Sequence, residues 1–319
     1  MATMNTQVIS AHEDGAIAQA VEHLISGQLV AVPTETVYGL AANAADDIAV
    51  QQIYTVKGRP SHNPLICHVS DAAMTERYVD VNETALKIMA AFWPGPLTLV
   101  LPKLQNANIP TTVTANLKTL AVRCPQTDFT RQMIETLGHP IAAPSANPSG
   151  KLSPTRATDV VEGLGGKIPL VIDGGATDVG IESTIIGVQG NKLTLLRPGT
   201  ITADDITEHT GFPVFDRADE TITAPGQLLS HYAPDAAVRL NASKANDSET
   251  LIGFGNVAAA INLSSSGDLN EAAKNLFACL RAADAKNTGR IAVAPIPMHG
   301  VGIAINDRLK RAAAPRDNG

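Results

Sequence analysis

The sequence predicts an α/β protein of two domains, residues 1–208 and 236–319, joined by a linker over residues 209–235. Three observations predict it. Short apolar runs of strand character alternate with segments of helical period up to about residue 205. From Gly211 to Pro234 that alternation gives way to Pro, Gly, Thr and charge, including Ala224-Pro225-Gly226 and His231-Tyr232-Ala233-Pro234. Beyond this stretch the alternation resumes on a smaller scale. With 319 residues, 44% of them hydrophobic and 17% charged, the chain can bury two cores.

The elements follow from local rules. Residues 12–26 read as a helix, with Ile17, Val21, Leu24 and Ile25 at helical spacing and Gly27 ending it. A buried strand over 29–32 runs into Pro33-Thr34-Glu35-Thr36-Val37-Tyr38-Gly39-Leu40. An extended backbone there presents the hydroxyls of Thr34, Thr36 and Tyr38 on one face. The β-preference of Thr and Tyr explains their choice equally well.

Residues 46–56 form a helix with Asp46 or Asp47 as N-cap, and Gly58 suits the position that ends it. Pro60 and Pro64 hold Arg59 and Asn63 extended. Lys57 and Arg59 are therefore expected to face one spot, as solvated charges at the rim of a cleft. For Lys57 alone, a cation placed to suit the helix dipole is the competing reading.

A strand over 65–69 carries His68 near its end, as a structural residue or a ligand. Residues 82–92 make a helix that stops at Trp93-Pro94-Gly95-Pro96, and 97–101 is a strand. The strand over 119–125 brings Arg123 to its end, for a surface ion pair or for an anion. Residues 140–144 lead into the loop Ser145-Ala146-Asn147-Pro148-Ser149-Gly150-Lys151-Leu152-Ser153-Pro154-Thr155. Pro148 keeps Asn147 extended, so Ser145 and Asn147 project together. Ordinary turn chemistry and a phosphate-binding lip both account for this loop. Residues 170–175 form a strand entering a glycine turn, and 193–199 form a strand that ends in an exposed Arg197. In the tail, strands over 238–240, 250–254 and 259–263 precede a helix marked by Leu269, Ala273, Leu276, Phe277 and Leu280. A strand over 290–294 and a helix over 302–313 complete it.

Several function classes are disfavoured. No apolar run approaches the roughly 18 residues of a membrane helix. The first fifteen residues lack the basic-then-apolar layout of a signal peptide, so the protein is expected in the cytoplasm, without membrane contact. Cys67, Cys124 and Cys279 form no C-x-x-C pair and read as small hydrophobes. A net charge of −7 counts against gripping nucleic acid over the whole surface. There is no G-x-x-x-x-G-K-[ST]. Gly253-Phe254-Gly255-Asn256-Val257-Ala258 satisfies G-x-G-x-x-A, but it precedes a strand and not the helix that would hold pyrophosphate. No metal-ligating motif or carboxylate dyad is visible. Cations, hydroxyls and amides without acid–base apparatus suit phosphate-centred chemistry, in which positioning and charge neutralisation dominate.

Several strings together carry a resemblance: P-T-E-T-V-Y-G-L at 33–40, K-x-R-P-x-x-N-P-L at 57–65, W-P-G-P-L-T at 93–98, V-R-C-P at 122–125, S-A-N-x-S-G-x-x-S-P-T at 145–155, Glu182-Ser183-Thr184, and L-R-P-G-x-I-T at 196–202. In family order across residues 10–205, they resemble the YrdC-type threonylcarbamoyl-AMP synthases, in the long form with a C-terminal domain. His231-Tyr232-Ala233-Pro234 resembles that family's linker motif, while Gln227-Leu228-Leu229 and Gly187 depart from its usual pattern. The resemblance implies a YrdC-like twisted mixed sheet with flanking helices, plus a smaller Rossmann-like α/β domain.

It also implies synthesis of threonylcarbamoyl-AMP and pyrophosphate from L-threonine, bicarbonate and ATP, with Mg²⁺ on the phosphates. The adenylate would pass to downstream threonylcarbamoyl-transfer proteins, so that tRNA is served only indirectly. By the same resemblance, Lys57 and Arg59 are the catalytic cations. ATP is held by them with Asn63, Thr119, Ser145, Asn147, Ser153 and Arg197, and His231 and Tyr232 close the site. Threonine is held by Thr36, His68, Arg123, Ala143 and Ser183. Two alternatives stand beside this: an RNA-binding module without catalysis, and a carbamoyl or adenylyl transferase acting on another amine.

Overall fold

The structure, a computed structural model, describes residues 5–217 and 231–315. In chain order its elements are β1 (Gln7–Ser10), α1 (Ala16–Ile25), β2 (Val30–Val32), β3 (Gly39–Asn43), α2 (Asp47–Lys57), β4 (Ile66–His68), α3 (Ala72–Thr75), α4 (Glu83–Phe92), β5 (Leu97–Pro102), α5 (Thr111–Thr114), β6 (Thr119–Arg123), α6 (Asp128–Leu137), β7 (Ile141–Ala142), α7 (Ala157–Leu164), β8 (Leu170–Asp173), β9 (Thr184–Gln189), β10 (Lys192–Arg197), α8 (Ala203–Thr210) and β11 (Val214–Asp216). After residue 230 come β12 (Ala237–Arg239), β13 (Thr250–Gly253), β14 (Ile261–Asn262), α9 (Leu269–Asp284), β15 (Arg290–Val293) and α10 (Gly302–Ala312).

The first eleven strands make one mixed sheet in the order β1-β8-β2-β3-β7-β4-β6-β5-β9-β10-β11. Its strands are almost wholly apolar where they cross the middle, as in Val30, Leu40, Cys67 and Leu99, because helices cover both faces. The last four strands make an all-parallel sheet, β12-β15-β13-β14, with α9 as the crossover into β15. The G-x-G-x-x-A string lies in the turn after β13 and leads to β14, so no helix N-terminus follows it.

Caps placed the helix starts as local rules require. Asp46 accepts from the amides of Ile48 and Ala49, and Gly58 ends α2 in the left-handed region at φ 61°. Several regions differ from the sequence reading, which assigned no helix to α3, α5, α6, α7 or α8. The edge strand β1, with three of its four residues exposed, has little apolar signal and was not expected. Residues 214–216 form β11, which pairs in parallel with β10, so the large sheet continues past residue 208 into the stretch expected to be linker. Residues 218–230 of that stretch, Gln227-Leu228-Leu229 among them, lie outside the described residues.

The core of the second sheet takes in residues of the first domain. Val37, Leu152 and Ile181 of the first domain pack with Ile252, Leu276 and Phe277 of the second. Gly180, at φ 79°, permits this approach: a Cβ there would sit 2.3 Å from the carbonyl oxygen of Lys274 in α9.

Candidate functional site

One cavity lies where several strand ends of the large sheet meet the start of the second domain. β4 and β6 run in parallel with His68 in register beside Arg123, so both side chains reach the cavity from neighbouring C-terminal strand ends. The segment after β7 contributes Ala143 and Ser145, and the loop between β2 and β3 contributes Thr34 and Thr36. Arg59 comes from the turn after α2, Ser183 from just before β9, Arg197 from the end of β10, and His231 and Tyr232 from across the domain boundary.

The arginines are buried, not exposed as the sequence suggested. Arg123 donates to Glu35 Oε1 at 2.5 Å, to Thr36 Oγ1 at 2.9 Å and to the Gly95 carbonyl at 3.1 Å. Glu35 and Arg123 are each about 96% buried, at 4% side-chain exposure. A guanidinium has five donors, so two remain for a ligand. Arg197 donates to Ser183 through its backbone carbonyl at 3.0 Å and its hydroxyl at 3.1 Å. Gly199 makes that contact possible, since a Cβ there would fall 2.4 Å from the Thr184 amide. Arg59 donates to the carbonyls of Asn63 and Pro64 at 3.2 and 2.8 Å. Burial is the main force pushing its pKa down to about 10.

Lys57 departs furthest from expectation. It is not a solvated rim charge: it is 4% exposed, and its ammonium donates to the carbonyls of Ser145 and Asn147, each at 2.5 Å. It does not line the cavity. Lys57 instead fastens the Ser145–Asn147 loop from behind. Burial, then repulsion from Arg59, holds its pKa well below the usual lysine value.

Four other expected residues also stand back from the cavity. Thr119 begins β6 while Arg123 ends it, about 13 Å away along an extended strand. Asn63 is buried behind Arg59, whose Nε bonds to its carbonyl. Ser153 donates to Glu182 Oε1 at 2.5 Å. Asn147 does not project with Ser145; its amide nitrogen donates to the carbonyls of Pro148 and Lys151. The three aligned hydroxyls also divide. Thr34 and Thr36 bond to each other at 2.8 Å, whereas Tyr38 donates to the Gly175 carbonyl at 2.7 Å.

Two residues at the site were given no role from the sequence. Among the described residues Glu182 is the one carboxylate lining the cavity, and Arg308 of α10 pairs with it at 3.1 Å. The Glu182-Ser183-Thr184 string signalled the first, and nothing local signalled the second. At the cavity, His68 Nδ1 and His231 Nδ1 are buried without a protein partner among the described residues; behind it, so are the Asn63 side-chain amide and Asn147 Oδ1. The cysteines are inert by contrast. Cys67 and Cys124 are buried and Cys279 half-buried, and burial pushes their thiols up to about 12, 11 and 11 respectively.

Burial, then the charge of Arg123, lowers the His68 pKa to about 3. Its ring is neutral at pH 7 and can accept as well as donate. Unfolded histidine takes a proton near pH 6.5, whereas the native residue refuses it until about 3. The stability held by the neutral ring is full above pH 6.5 and is lost as pH falls towards 3. We expect His68→Gln to flatten the urea-midpoint profile across that window. An unchanged slope would show that His68 is not buried neutral.

The comparisons with known proteins fit this geometry. A family model covering the Sua5, YciO and YrdC proteins, described as telomere recombination, matches residues 22–199. A second, described as threonylcarbamoyl-AMP synthase, C-terminal domain, matches residues 201–314. The threonylcarbamoyl-AMP synthase of Pyrococcus abyssi is 38% identical, over 95% of this chain and 96% of its own. The chain belongs to the threonylcarbamoyl-AMP synthase family. The Bacillus subtilis member is 39% identical over 95% of this chain and 94% of its own. Among solved structures, P. abyssi Sua5 complexed with L-threonine is similar with a TM-score of 0.88 at 37% identity, covering 97% of this chain and 98% of that one. Escherichia coli YciO, at 20% identity and a TM-score of 0.56 over 65% of this chain, shares the fold. Membership of this family accounts for the mixed sheet and for the second domain alike. No helix among the described residues is long and apolar enough to cross a membrane.

Proposed function

We propose that the protein is a nucleotidyltransferase that joins L-threonine, bicarbonate and ATP into threonylcarbamoyl-AMP, releasing pyrophosphate. The observation that supports this most is the state of Arg59 and Arg197. Both are buried at one cavity, and among the described residues neither has a carboxylate partner within ion-pair distance. Buried guanidinium groups without counter-charge favour an anionic ligand, and phosphate oxygens match their planar forks.

The division of roles follows. Arg59 and Arg197 meet the triphosphate, with Ser145 at the cavity wall and Lys57, Asn147, Asn63 and Ser153 supporting the nucleotide side from farther back. Arg123 takes the threonine carboxylate with its two spare donors, beside Thr36, His68, Ala143 and Ser183. The threonine amine adds to the carbon of bicarbonate, and loss of water leaves a carbamate. A carbamate oxygen then attacks the α-phosphorus, and the bond to the β-phosphate oxygen breaks as pyrophosphate leaves. Both partners in that step are anions, so the cations lower its barrier by cancelling repulsion and holding the atoms in line. The neutral rings of His68 and His231 leave this cationic lining without added histidine charge.

Mg²⁺ enters with ATP. Among the described residues no cluster of three metal-ligating side chains occurs, and Glu182 is already bonded to Ser153 and Arg308. The phosphates of ATP, with water, would hold the ion. The cavity measures about 50 Å³, room for a few waters but not for a nucleotide. His231 and Tyr232 line this cavity from the side of the second domain. In the cytoplasm the adenylate is passed to threonylcarbamoyl-transfer proteins acting on tRNA.

The test is pyrophosphate release from ATP. Release that requires both threonine and bicarbonate supports the reading. Release with other amino acids in place of threonine points to a different amine, and RNA binding without release points to a non-catalytic module.

A further inference from the structure

We propose that Arg308, carried by α10 of the second domain, is a positioning residue for the substrate-binding pair Ser183 and Arg197. The inference rests on the synthase reading above. Arg308 is fully buried, at 0% exposure, yet it does not line the cavity. Its Nη1 donates to the Pro198 carbonyl at 2.7 Å, and its Nη2 donates to the Glu182 carbonyl at 3.2 Å. Its Nε donates to Glu182 Oε2 at 3.1 Å, and Nη1 also meets Asp307 Oδ2 at 3.0 Å.

The two carbonyls belong to the residue just before Ser183 and the residue just after Arg197. One guanidinium therefore ties together the two chain segments from which that pair reaches the cavity. The sheet does not do this by itself. β9 and β10 are antiparallel neighbours, but their register shifts between Leu195 and Arg197, so the ladder is irregular just before Arg197 pairs with Ile185. The Glu182 carboxylate extends the tie through its other oxygen to Ser153, in the loop that begins at Ser145. The same guanidinium lies 5.6 Å from the ring of Tyr232, which lines the cavity.

The clip depends on a planar fork. One guanidinium meets two carbonyls and the carboxylates of Glu182 and Asp307 at once, an arrangement a lysine ammonium cannot reproduce. In this chain the second domain therefore completes the substrate site, although none of its helices touches the cavity.

Arg308→Lys is the first variant to make, because it keeps a cation opposite Glu182. The full-length variant is compared with the parent by threonine-dependent pyrophosphate release. KM for ATP and KM for threonine are each expected to rise about ten-fold or more, the factor corresponding to one charge-assisted hydrogen bond, with a smaller change in kcat. Should Arg308→Lys fold poorly, Arg308→Met is made in a Glu182→Gln background, and the same rise in both KM values is expected relative to Glu182→Gln alone. Unchanged KM values, with activity lost only in proportion to unfolded protein, would make Arg308 a stability residue and overturn the proposal. If the parent protein releases no threonine-dependent pyrophosphate, the synthase reading has failed before the variants are compared.

Discussion

Replacing Arg123 with methionine is expected to lower stability by about 3–5 kcal/mol and to reduce threonine-dependent pyrophosphate release by about 10²–10³-fold. The two losses have different origins. Glu35 is buried against Arg123, and with the guanidinium gone its carboxylate retains only the Gln126 amide, at 3.1 Å, among its recorded donors. An uncompensated buried charge is the expensive outcome, more so than the loss of the pair as such. Activity falls because the two spare donors offered to the threonine carboxylate disappear with the side chain. Adding Glu35→Gln to Arg123→Met separates the effects. The double variant recovers much of the midpoint in urea denaturation and none of the turnover. A single variant with a near-normal KM for threonine would remove Arg123 from the threonine site.

The same residue shows where sequence reasoning stopped. Elements set by local pattern were legible: the cap and stop of α2, the strand ends carrying His68 and Arg123, and the apolar face of α9 all follow from spacing within a dozen residues. Charge partners were not, because they are joined across the chain. Lys57 meets carbonyls 88 and 90 residues away, Arg123 meets Glu35 at a separation of 88, and Arg308 meets Glu182 at 126. An arginine at a strand end looks the same in sequence whether it emerges into water or beneath a second domain. The assumption that Arg197 and Lys57 are exposed failed for that reason. The position of Thr119 failed for a different one: a residue at the start of a strand is carried to the opposite edge of the sheet from the residue at its end.

The sharpest consequence concerns the two cations of the K-x-R string, which the structure gives different work. Lys57 bonds to the Ser145 and Asn147 carbonyls, while Arg59 faces the cavity and bonds only within its own turn. Lys57→Met keeps most of the stem but strands two buried carbonyls on a distant loop. It should cost about 3 kcal/mol or more, from two hydrogen bonds of the charged kind. Its effect on ATP arises through the displaced Ser145 loop and is expected as a raised KM. Arg59→Met leaves carbonyls of its own turn, close to the cavity and its water, so its denaturation midpoint should move less. Its turnover should fall further, because a guanidinium aimed at the transferring phosphates is lost. Urea denaturation and steady-state kinetics on the two variants read this crossing directly. Equal midpoints, or a larger turnover loss in Lys57→Met than in Arg59→Met, would mean that Lys57 turns from the loop to the phosphates when ATP enters.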